Sequence, residues 1–112
     1  MKKIAVIGAG FSGLSAAAYA ARAGYEVHVY EKHDGPGGRA RQFTTPQGFV
    51  FDMGPSWYWM PDIMDSFFAD FDTRTTDHFD LISLDPQFEM VFADGHMDVP
   101  QHAEDMKRLF ER

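Results

Sequence analysis

Six residues near the N-terminus, Gly8-Ala9-Gly10-Phe11-Ser12-Gly13, constrain this chain more than any other part of it. Glycines spaced G-x-G-x-x-G recur by chance in loops, so the hexapeptide is informative only through its flanks. Ile4-Ala5-Val6-Ile7 before it is short, apolar and β-branched, which predicts a fully buried parallel strand. Ser12 to Ala23 after it is rich in Ala and free of Pro, which predicts a helix, and Gly24 stands where a helix stop belongs. Ala16, Ala17, Ala18, Ala20, Ala21 and Ala23 carry little bulk, so that helix can lie close against a sheet. Val27-His28-Val29-Tyr30 then predicts a second strand. Strand, helix and strand within about thirty residues make a βαβ unit.

In that context each glycine has its own reason. Gly8 permits the sharp turn out of the strand. Gly10 has no Cβ, so backbone can approach a pyrophosphate, and Gly13 lets helix and strand pack closely. Phe11 and Ser12 open the helix, whose unpaired N–H groups and dipole favour phosphate. Glu31 ends the second strand, 18 residues after Gly13, where its carboxylate meets the hydroxyls of an adenosine ribose. Together these residues predict a dinucleotide site. A ribose 2′-phosphate would be repelled by Glu31, which disfavours NADP. After Glu31 and Lys32 the loop His33–Gly38 is rich in glycine. Gly35-Pro36-Gly37-Gly38-Arg39 offers a second patch of bare backbone N–H groups and a cation, which favours FAD over NAD.

The remaining chain is patterned less sharply. Arg39–Thr45 and Phe49–Met53 are expected to pair as strands across a turn at Thr45-Pro46-Gln47-Gly48. Met60, Ile63, Met64, Phe67, Phe68 and Phe71 recur at helical spacing, which predicts an amphipathic helix from Pro61 to Phe71 with Asp62, Asp65 and Asp70 on its solvated face. Residues 72–80 are expected to be loop, and Phe79–Leu84 is a weak strand candidate. Phe88 to Val99 predicts a hairpin turning at Asp94-Gly95, with Ala93 opposite His96, Phe92 opposite Met97 and Met90 opposite Val99. Residues 101–112 look helical.

Composition closes doors. The chain has 112 residues, room for one domain, and 45% of them are hydrophobic, so it is neither disordered nor fibrous. It has no Cys, hence no disulfide or thiolate site. No apolar run spans a bilayer and the N-terminus is no secretion signal, so a cytosolic setting is expected. The net charge of −7 divides into +2 over residues 1–56 and −9 over residues 57–112, which argues against nucleic acid. The five His residues lack metal-ligand spacing, and Asp77-His78 has no nucleophile beside it.

The motifs resemble those of a known group. Glu31 followed by Gly37-Gly38-Arg39 is similar to the flavin-binding pattern of the amine oxidase and phytoene desaturase superfamily. Gly48-Phe49-Val50-Phe51-Asp52-Met53-Gly54-Pro55-Ser56 resembles a segment of bacterial-type carotenoid desaturases, as do Leu84-Asp85-Pro86 and Phe92-Ala93-Asp94-Gly95. The fold this implies is α/β, a Rossmann-type βαβ dinucleotide-binding fold with an antiparallel hairpin, incomplete relative to the family.

The resemblance implies that Gly8, Gly10 and Gly13 hold the pyrophosphate of FAD and Glu31 its ribose, with Phe11, Ser12 and Lys32 also among the cofactor-binding residues. Gly37, Gly38 and Arg39 would line the phosphate and ribityl side, and Gly54, Pro55 and Ser56 the flavin end. Residues 1–56 would be the FAD-binding segment and 57–112 the start of a lipophilic substrate domain. No residue is assigned a catalytic role. The activity implied is removal of a hydride from an apolar polyene, and an intact enzyme could touch a membrane peripherally. Family members are several hundred residues long, so this chain is expected to be an N-terminal piece that turns nothing over alone. An amine-oxidase-like flavoenzyme, a non-catalytic ADP- or FAD-binding module and a non-binding remnant remain as alternatives. Trp57-Tyr58-Trp59-Met60 is either core packing or a wall of the polyene channel. Phe67, Phe68 and Phe71 are either core or a docking surface, and left uncovered they invite self-association.

Overall fold

In a computed structural model that describes residues 1–55 and 57–111, the chain divides into two units, Met1–Trp59 and Met60–Arg112. The first unit starts with strand β1 (Lys3–Ile7), helix α1 (Phe11–Arg22) and strand β2 (Glu26–Tyr30). β1 and β2 pair in parallel from Lys3 opposite Glu26 to Ile7 opposite Tyr30. Gly8 extends that ladder by donating its N–H to the Tyr30 carbonyl over 2.7 Å. This is the βαβ unit that the glycines and alanines predict, with α1 against both strands.

The expectation of a fully buried first strand is corrected. Ile4 and Val6 are half-buried while Ala5 and Ile7 are exposed. The alternation has a simple cause: α1 packs on one face of the two strands, and successive side chains of a strand point to opposite faces. α1 stops as its sequence predicts. Gly24 takes φ +86°, its N–H donates to the Ala21 carbonyl, and the Tyr25 N–H donates to that of Ala20. These two bonds close the last turn around a left-handed residue, which glycine adopts without penalty.

Beyond β2 a loop leads into a 3₁₀ turn at Gly38–Ala40 and then a short antiparallel pair, β3 (Gln42–Thr44) and β4 (Val50–Asp52). The pair is shorter than expected at its start, because Arg39 belongs to the 3₁₀ turn and not to a strand. Phe43 and Phe51 face each other with ring centroids 5.4 Å apart, and Gln42 Nε2 donates to Asp52 Oδ1. The Thr45–Gly48 turn forms, with the Gly48 N–H on the Thr45 carbonyl.

The second unit holds helix α2 (Pro61–Asp70), a 3₁₀ turn at Thr75–Asp77, strands β5 (Phe88–Phe92) and β6 (Gly95–Val99), and helix α3 (Ala103–Phe110). α2 has Pro at its first position and Asp62 in its first turn, as its sequence predicts. Phe67, Phe68 and Phe71 are half-buried, and Phe67 lies against both of the others. Phe68 stacks on the His78 ring at 4.8 Å. No regular strand forms over 79–84, where Leu81, Ile82 and Leu84 are exposed.

The hairpin forms in a different register from the expected one. Phe88 stands opposite Val99, Met90 opposite Met97 and Phe92 opposite Gly95, so the loop is Ala93-Asp94. The slip is two residues, which leaves every side chain on its expected face. It also gives Phe88 an apolar partner in Val99, which is buried. Neither Asp94 nor Gly95 has a positive φ, so the primed turn that Asp-Gly favours is not the one used.

Candidate functional site

The first glycine loop runs from the end of β1 into α1. Gly8 takes φ +99°. A Cβ on Gly13 would collide with the Gly8 carbonyl and touch Val6, so the third glycine is needed for strand and helix to approach. Gly10 caps the helix and, having no side chain, makes no side-chain bond to the first amides of α1. Those amides point along the helix axis towards the loop, which is a setting for an anion.

The second loop is tied to the first. The Gly37 N–H donates to the Ala9 carbonyl over 2.8 Å. Gly38 takes φ +57°, and a Cβ there would lie 3.0 Å from the Gly10 Cα. Two strips of backbone therefore face each other with no side chain between them. Gly54 closes in from a third direction, since a Cβ on it would collide with the Arg39 carbonyl. The Met53 N–H holds this segment in place through the Arg41 carbonyl at 3.0 Å.

Glu31 stands at the tip of β2. Its Oε2 accepts the Ala9 N–H over 2.6 Å and its Oε1 accepts the His33 N–H over 3.0 Å. These amides, Ala9 foremost, hold the Glu31 carboxyl below the usual carboxylate range. It is therefore an anion at neutral pH with lone pairs still free.

Two adjoining clefts result. The larger, of about 750 Å³, is lined by Gly8, Gly10, Phe11, Ser12, Gly13, Gly37, Gly38, Arg39, Gly54 and Pro55 among others. The smaller, of about 360 Å³, holds Glu31 and Lys32 and shares Gly8, Gly10, Gly38 and Arg39 with the larger. The two clefts thus bring together the residues expected to meet the dinucleotide, except Ser56, which lies outside the described residues. Ile7, Tyr30, His33, Ala40, Arg41 and Met53 line the clefts too and were not anticipated. Each is within two positions of a motif residue, so adjacency along the chain was the available signal.

Asp77 pairs with Arg74 at 2.8 Å, and His78 Nε2 meets Thr73 Oγ1 at 3.1 Å. Trp57, Trp59 and Met60 are exposed. Among the described residues no three metal-ligating side chains come together, and no helix is long and apolar enough to cross a membrane.

The family described as NAD(P)-binding Rossmann-like domain matches residues 6–73, a stretch that includes both glycine loops and Glu31. The chain belongs to this family. As a Rossmann-like domain it is also similar to the N-terminal part of several carotenoid enzymes. It is 46% identical over 109 residues to a carotenoid 3,4-desaturase of Haloarcula japonica, covering 96% of this chain and 22% of that protein. It is 39% identical over 93 residues to a zeta-carotene-forming phytoene desaturase of Myxococcus xanthus, covering 83% and 18%. It is 36% identical over 112 residues to a 4,4'-diapolycopene oxygenase of Methylomonas, covering 99% and 22%. The chain thus spans about a fifth of the length of these relatives.

Proposed function

We propose that this chain forms the adenosine-diphosphate half of an FAD site in an oxidoreductase that acts on an apolar polyene. The observation that carries the reading is the Glu31 carboxylate anchored at the β2 tip beside two apposed glycine loops. The residues suit such a ligand. Gly10 and Gly38 meet backbone to backbone, so neither puts a side chain into the cleft they both line, and Gly10 caps α1 without a side-chain bond to its first amides. In this reading the amides of Gly10, Phe11, Ser12 and Gly13 take the diphosphate, and Gly8, whose own N–H is held by the Tyr30 carbonyl, shapes the turn beneath it. Glu31 accepts the ribose hydroxyls, with Lys32 beside it. Gly37, Gly38 and Arg39 flank the phosphates and ribityl chain, and Gly54, Pro55 and Ser56 approach the flavin end.

FAD is favoured over nicotinamide dinucleotides by the second loop: the Gly37 N–H is held by the Ala9 carbonyl rather than bare, but Gly37, Gly38 and the Arg39 cation line the cleft beside the first loop. Bound flavin would supply the redox chemistry, accepting a hydride from a saturated C–C unit. Residues 57–112 then begin a substrate domain, and an intact enzyme would meet its lipophilic substrate at a membrane surface. Removing a hydride to the flavin from one carbon and a proton from its neighbour, to form a double bond, is the first reading of the reaction. Oxygenation of a similar polyene is the second, favoured by the Methylomonas relative's name and its match along the whole chain.

The test uses the full-length protein that carries this chain, purified and checked for bound flavin, then assayed on carotenoid precursors and on amines. Flavin with desaturated polyene products is expected. Oxygenated products would select the second reading. Turnover of amines alone, or a bound nicotinamide nucleotide in place of flavin, would overturn the proposal.

A further inference from the structure

We propose that Glu31 is a positioning residue as well as a ribose acceptor: its carboxylate clamps the first glycine loop into its binding shape in the ligand-free protein. Ala9, at the centre of that loop, is only 5% exposed. Its N–H donates to Glu31 Oε2, and its carbonyl accepts the Gly37 N–H. The two peptide planes that flank Ala9 are therefore held by different partners, one by the tip of β2 and one by the second glycine loop. The other Glu31 oxygen takes the His33 N–H, which fixes the carboxylate itself.

The parallel register makes this reach possible. Ile7 lies opposite Tyr30, so residue 31 emerges beside residues 8 and 9 as both chains leave the sheet. The clamp has a purpose, because Gly8 and Gly10 on either side of Ala9 have the most backbone freedom to lose. An unheld loop would lose that freedom on binding and bind more weakly, whereas a held loop has already lost it. A carboxylate suits the task, since hydrogen bonds to an ionised acceptor are roughly twice as strong as neutral ones.

The ligand arm of the test rests on the function proposed above, and the first arm does not. Amide hydrogen exchange is measured on the ligand-free full chain, wild type against Glu31→Ala, which removes both acceptors. The Ala9 amide is expected to exchange at least about tenfold faster, with the amides of α1 beyond its first turn unchanged. Unchanged protection at Ala9 would overturn the clamp. Should the Ala variant fail to fold, Glu31→Gln serves instead. A neutral amide offers one oxygen, so either Ala9 or His33 must lose protection, and retention of both is the contrary result.

Calorimetry with ADP and with 2′,3′-dideoxy-ADP then separates the two roles. The Ala variant is expected to lose about tenfold or more in affinity for both nucleotides. A loss confined to ADP would mean that Glu31 acts through ribose hydroxyls alone, and would refute the clamp. If neither nucleotide binds the wild type, the proposed function fails, while the exchange measurement still decides the clamp.

Discussion

At Gly13 one methyl group separates a packed strand and helix from a collision. A Cβ there meets the Gly8 carbonyl, a backbone atom that cannot swing aside, whereas a Cβ on Gly10 would sit 3.7 Å from the Gly38 Cα, an ordinary contact. Gly13→Ala is therefore expected to lose about 1–3 kcal/mol in urea denaturation. Gly10→Ala should leave stability within about 0.5 kcal/mol of wild type while weakening any ligand that approaches Gly10 from the cleft it lines. Acid provides a second prediction at this scale. Amides hold Glu31 below the carboxylate range, His28 and then Lys3 do so for Glu26, and Arg74 does so for Asp77. A carboxyl lowered on folding adds stability that is complete above its unfolded value and disappears as pH falls through its folded value. The urea midpoint should thus be flat above about pH 5 and decline below about pH 4, and Glu31→Ala should flatten that decline. The site glycines were legible because chirality and bulk are written into residue type. His33 was not, since it contributes through its backbone N–H, which every residue but proline carries.

α1 and α2 end by the same device with different residues. After α1, Gly24 takes the left-handed position. After α2, Asp72 does so at φ +58°, with its N–H on the Ala69 carbonyl and the Thr73 N–H on that of Phe68. Asp tolerates this conformation less well than Gly. Asp72→Gly is expected to gain about 0.5–1 kcal/mol and Gly24→Ala to lose about 1 kcal/mol, both read from urea midpoints. The stop at Gly24 could be read from the chain, while Asp72 looked like one more acid in a polar loop. The hairpin shows what periodicity can and cannot fix. Alternation of Phe88, Met90 and Phe92 set the face, because a face depends only on parity. The register depended on which turn closes the strands, and there the pairing of Phe88 with Val99 outweighed the local preference of Asp-Gly.

The molecule as a whole exposes 9387 Å². A closed monomer of 12.7 kDa would expose about 6,200 Å². Two separate closed globules of half that mass would expose about 7,500 Å², so the excess does not come from the division into two units. Ala9, Ala17 and Val99 are the buried apolar residues among those described, while Ile7 is 82% and Ile82 76% exposed. Such surface should bind its own kind, and sedimentation velocity is expected to give larger species as concentration rises. A single monomeric boundary at all concentrations would contradict this. Composition foretold none of this, because 45% hydrophobic residues suffice for a core and only the arrangement of elements tells whether they find one.

The central claim is that Glu31 and the two apposed glycine loops make an adenosine-diphosphate site. Calorimetric titration of the 112-residue protein with ADP, FAD, NAD and NADP, beside a Gly10→Val control whose branched side chain would crowd the cleft that Gly10 lines, tests it most directly. Comparable affinity for ADP and FAD, weaker binding of NADP, and loss of all binding in the folded Gly10→Val protein are expected. A clear preference for NAD over FAD and ADP, or nucleotide binding untouched by the valine, would contradict it.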